Sequence, residues 1–119
     1  MHILDLSALK WTSIEGRPFT ESRHGHACAL FRDELYFFGG CQAQATPTSD
    51  FFKFTPALSS WTLLDQDDPP PERELALLAA PSPDYLLLLG GIDLLEDRIH
   101  DDAYLFRGDR WARLALAHP

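Results

Sequence analysis

Apolar residues in this chain fall in short runs separated by Gly, Pro, Asp and Ser, a pattern of brief strands and tight turns with no convincing helix. Residues 25–31 are small and apolar, Arg32-Asp33 supplies a turn, and residues 35–38 form a continuous apolar run stopped by Gly39-Gly40. Such a run suits a strand buried on both faces. A polar loop over residues 41–49 follows. In residues 51–55, Phe52 and Phe54 then alternate with Lys53, a turn spans residues 56–59, and residues 60–64 surround Trp61 with the mixed character of an outer edge strand.

The same plan recurs. An apolar strand over residues 75–80 leads through the turn Pro81-Ser82-Pro83-Asp84 to residues 85–89 and Gly90-Gly91. After a loop over residues 92–101 come a strand over 102–106, a Gly108-Asp109 turn and a last strand over 110–116. Trp11, Trp61 and Trp111 are 50 residues apart, as are Arg23 and Arg73; the Gly pair recurs at 51 and Asp50-Phe51-Phe52-Lys53-Phe54 recurs as Asp102-Ala103-Tyr104-Leu105-Phe106 at 52. A fixed period of this length marks a repeat architecture. Residues 3–6 and 10–14 supply only the latter half of a unit. The expected organisation is therefore all-β: a half unit at 1–14 and complete four-stranded units at 23–64 and 73–116.

An apolar strand ending in Gly-Gly, a loop, an Asp before an aromatic strand and a later Trp together resemble the kelch repeat. Arg23-His24-Gly25-His26-Ala27 is similar to the start of a kelch unit, and Glu34-Leu35-Tyr36-Phe37-Phe38-Gly39-Gly40 to its central segment. The second unit keeps Arg73 but has no histidine where His26 stands, so it is a degenerate copy. The resemblance implies an incomplete kelch-type β-propeller of about two and a half blades, each with its first strand innermost and its Trp strand outermost. Closure of a ring takes at least four blades, so open apolar faces at both ends are expected. The expected remedies are continuation in a longer chain or association between copies.

Composition narrows the function classes. A chain of 119 residues that is 45% apolar and 24% charged makes one ordinary globular domain. Its net charge of −8, with only Lys10 and Lys53 as lysines, repels phosphate backbones and argues against nucleic acid or an anionic membrane as partner. No apolar run reaches bilayer length and the first residues do not read as a secretory signal, so a cytoplasmic location is the default expectation. Cys28 and Cys41 have neither the number of a disulfide framework nor the spacing of a zinc motif. Both are read as free thiols in or near strands.

Strand parity places residues 15–22, 41–49, 65–72 and 92–101 on one rim, where loops on a rigid scaffold usually carry binding residues. Arg17, Arg23, Gln42, Gln44, Asp67, Glu72, Arg73 and Asp97 are the candidate contacts. Asp65, Asp67, Asp68, Glu72, Asp93, Glu96, Asp97 and Asp101 make part of this rim acidic, which suits a basic protein partner, although acids also simply solvate loops. Asp93, Glu96, Asp97, His100 and Asp101 match no calcium loop or zinc pattern, so no metal and no cofactor is expected. His24 and His26, which straddle Gly25, read as structural histidines near the ring. No nucleophile motif occurs and no catalytic residue is assigned.

The resemblance implies a non-enzymatic protein–protein interaction module, of the kind that serves as a substrate adaptor. The competing readings are a fragment of a propeller enzyme, an isomerase or oxidase whose site needs further blades, and a truncated repeat remnant.

Overall fold

The computed structural model describes residues 2–13, 23–43 and 46–115. In chain order the strands are β1 (His2–Asp5), β2 (Lys10–Ser13), β3 (Ala27–Phe31), β4 (Glu34–Phe38), β5 (Cys41–Gln42), β6 (Thr46–Pro47), β7 (Phe51–Thr55), β8 (Ser60–Leu63), β9 (Leu77–Ser82), β10 (Tyr85–Leu89), β11 (Ile92–Asp93), β12 (Arg98–Ile99), β13 (Ala103–Phe106) and β14 (Trp111–Arg113). A 3-10 turn, Pro56–Leu58, joins β7 to β8. No helix among the described residues is long and apolar enough to cross a membrane.

The two complete units are antiparallel four-stranded sheets in the orders β3-β4-β7-β8 and β9-β10-β13-β14, and β1 pairs with β2 as the half unit. Leu4 lies opposite Trp11, Phe54 opposite Trp61 and Phe106 opposite Trp111, so the repeat seen in the sequence is a repeat of cross-strand register. Two expected loops hold more structure than their composition suggested. Residues 41–49 carry the β5–β6 ladder and residues 92–101 the β11–β12 ladder, each only two residues per strand.

The second unit also turns later than expected, because β9 runs on through Pro81 to Ser82. A proline cannot donate to the ladder, and the β9–β10 register shifts between Tyr85 and Leu87 to leave room for it. The first unit turns at Arg32-Asp33, both in the left-handed region at φ 51° and 64°. That geometry matches the twist of a two-residue hairpin but is unfavourable for side-chain-bearing residues. The Arg32 guanidinium offsets it: it lies 4.7 Å from the Phe31 ring centre and donates to the carbonyls of Pro83 (2.9 Å) and Asp84 (3.4 Å) in the neighbouring blade's turn.

Burial of apolar faces joins the blades. The alternation along β3, β4 and β7 sends Ala27, Phe31, Tyr36, Phe38 and Phe51 to one face, where they meet Leu78, Leu86, Leu88, Phe106 and Trp111 of the next unit. Trp111 stands edge-on to Phe38 with ring centres 5.5 Å apart, and its indole N–H donates to Gln66 Oε1 at 2.9 Å. The opposite face of the first blade stacks Phe37 on Phe52 and gathers Phe54, Leu35 and Trp61, with Ile3 of the half unit against them.

Candidate functional site

The loops at the Gly-Gly ends of the inner strands meet on one rim, and backbone hydrogen bonds stitch them together. Gly40 N–H donates to the Arg73 carbonyl at 2.9 Å, Arg73 N–H to the Thr48 carbonyl at 3.2 Å, and Leu75 N–H to the Gly25 carbonyl at 2.8 Å. The approach is too close for a side chain at Gly39, where φ is +69° and a Cβ would lie 2.5 Å from the Arg73 carbonyl oxygen. This is the physical reason an inner strand ends in glycine here.

Each unit then places an arginine under its rim. The Arg73 side chain is fully buried and binds both carboxylate oxygens of Asp102, while also donating to the carbonyls of Gly90 (2.8 Å) and Pro71 (3.1 Å). Arg23 repeats the arrangement with Asp50 at 3.0 Å, Thr48 Oγ1 at 3.1 Å and the Gly39 carbonyl at 3.4 Å. Burial alone would raise the Asp102 carboxyl, but the Arg73 hydrogen bond and charge outweigh it and hold the group below the ordinary carboxylate range.

These contacts change the expected rim. Arg23 and Arg73 point inward and brace loops, because a planar guanidinium satisfies several buried acceptors at once. Asp93 is also buried, and accepts a hydrogen bond from Glu96 N–H at 3.1 Å to cap the β11–β12 turn. His100 is buried with Nε2 3.2 Å from the Glu72 carbonyl oxygen. Burial and the Arg73 charge push its imidazole below the ordinary value, against the opposing pull of Asp102. Gln42 is half-buried on β5; Asp67, Glu72 and Asp97 are exposed; Arg17 and Gln44 lie outside the described residues.

Two features were not singled out from the sequence. The β11–β12 hairpin exposes Leu94, Leu95 and Ile99, the last by 82%, beside the exposed Glu96 and Asp97. The uninterrupted mixture in Ile92-Asp93-Leu94-Leu95-Glu96-Asp97-Arg98-Ile99 was the available signal, since a solvated loop needs none of those apolar residues. The second feature is a convergence of metal-binding chemistry. The acidic residues 93–101 do not gather. Among the described residues His24, Cys41 and Glu74 instead bring their nitrogen, sulfur and carboxylate atoms within 4.8 Å of one another. Burial, then the charges of Glu74 and Asp93, raise the Cys41 thiol; burial also raises the exposed Cys28 on β3.

Comparison with known proteins agrees with this geometry. Residues 22–65 match the family described as the Kelch motif. The chain is also 26% identical over 106 residues to Rho GTPase-activating protein gacHH of Dictyostelium discoideum, covering 80% of the chain and 7% of that protein. The chain therefore spans only a small part of the length of that relative.

Proposed function

Starting from a chain that carries a kelch motif, we propose that it is a non-enzymatic module that binds a partner protein through the rim, in the manner of a substrate adaptor. The observation that carries this reading is the β11–β12 hairpin, where Leu94, Leu95 and Ile99 stand exposed beside Glu96 and Asp97. Exposed apolar side chains on a short, hydrogen-bonded hairpin offer a pre-shaped contact that loses little entropy on binding. The 65–72 loop lies alongside, joined to this hairpin's base by the His100–Glu72 contact, and adds Asp65, Asp67, Asp68 and Glu72. The matching partner surface has an apolar centre flanked by Lys or Arg.

Selection from a displayed peptide library tests the reading. Recovered binders are expected to combine apolar and basic residues, to weaken with salt, and to lose most affinity to Leu95→Ser. Asp67→Asn with Asp97→Asn should cost a few-fold, about 0.2–1 kcal/mol per exposed charge pair. Binders indifferent to all three substitutions would place recognition elsewhere.

A further inference from the structure

We propose that His24, Cys41 and Glu74 form a zinc site that clamps the first complete blade to the second. The three ligand atoms already lie within 4.8 Å of one another, and His24 Nε2 is 3.7 Å from Glu74 Oε2. Ligand atoms around a tetrahedral zinc, with bonds of about 2.0–2.3 Å, stand about 3.3–3.8 Å apart, so shifts of about 1 Å complete the set.

Glu74 supplies an independent indication. Its side chain is only 6% exposed, and the His24 imidazole stands 3.7 Å from its carboxylate as an ionic partner. A mostly buried carboxylate is stabilised by a nearby cation. Gly25 leaves the space above it open, since a Cβ there would come within 3.0 Å of Glu74 Oε2.

The backbone fixes all three ligands. His24 and Cys41 exchange N–H to carbonyl bonds of 3.0 and 2.8 Å, and Glu74 and Ile92 exchange bonds of 2.9 and 2.8 Å. His24 and Glu74 hold the same position in successive units, 50 residues apart, while the counterpart of Cys41 is Ile92. The trio therefore arises at the seam where a histidine-bearing unit meets a glutamate-bearing one.

A thiolate and an imidazole select zinc over calcium or magnesium, and three protein ligands leave the fourth position to water. Cys41 gives its thiol proton to solvent as the sulfur–zinc bond forms, so the charges of thiolate and carboxylate balance the ion. His24, exposed beside two buried ligands, keeps a path to solvent open. This site is independent of the rim contact proposed above.

Titration of the purified chain with Co2+ and with Zn2+ tests the proposal. The wild type should bind one ion per chain, show a sulfur-to-cobalt charge-transfer band in the near ultraviolet, and melt at higher temperature with Zn2+. Cys41→Ser should abolish the band while Cys28→Ser keeps it. His24→Gln changes an exposed residue and leaves the fold intact, yet should weaken Zn2+ binding by about tenfold or more, the least expected when any member of a metal's ligand shells is lost. Absence of stoichiometric binding, a band that survives Cys41→Ser, or unchanged affinity in His24→Gln would overturn the site; should Cys41→Ser fail to fold, His24→Gln decides.

Discussion

Trp11 and Trp111 occupy the same place in the repeat, but one is 65% exposed and the other 7%. The difference lies in what stands on the side toward the preceding unit. Trp111 faces Phe38 and Phe51 of a complete blade, whereas in the half unit Trp11 lies opposite Leu4 of its own hairpin. A repeated residue thus has no fixed energetic value. Its contribution depends on the neighbour that covers it, as expected where units interact only with those beside them.

The arginine pair sharpens this comparison most. Arg73 is fully buried against an Asp102 side chain that is 8% exposed, while the Asp50 partner of Arg23 is 46% exposed. Arg73→Ala should cost about 3–5 kcal/mol in urea unfolding, because it strands a buried carboxylate. Arg23→Ala should cost about 1–2 kcal/mol, since water screens its partner. Equal losses would mean that both seams are equally dry.

Acid provides a smaller, graded test. Asp102 and His100 both have folded-state pKa values below their ordinary ones, so the unfolded chain binds more protons. The stability they confer is complete above about pH 6.5. It declines first as His100 is forced to protonate in its buried setting, and then as pH falls through the lowered range of Asp102. His100→Asn should flatten the upper part of that decline in pH-dependent melting curves and leave the lower part, and a slope unchanged by the substitution would remove His100 from the account.

Much of this fold was legible because a 50-residue step carries glycines, aromatics and tryptophans together, and a pattern shared by several residue types is hard to produce by chance. The β5–β6 and β11–β12 ladders were not legible, since two residues per strand are too few to display an alternation. Arg23 and Arg73 read as rim contacts when taken with their local loops. Their recurrence with Asp50 and Asp102 at nearly the same step was the overlooked sign of an internal brace. His24, Cys41 and Glu74 follow no motif spacing, because the blade seam brings them together.

Hydrogen exchange of the three indole N–H groups, followed by NMR, tests the stacked-blade account most directly. Trp111, donating to Gln66 within the seam, should exchange slowly, near the rate set by global unfolding, and Trp11 should exchange almost freely. Comparable protection of Trp11 and Trp111 in the monomer would contradict the claim that a preceding blade decides what each tryptophan contributes.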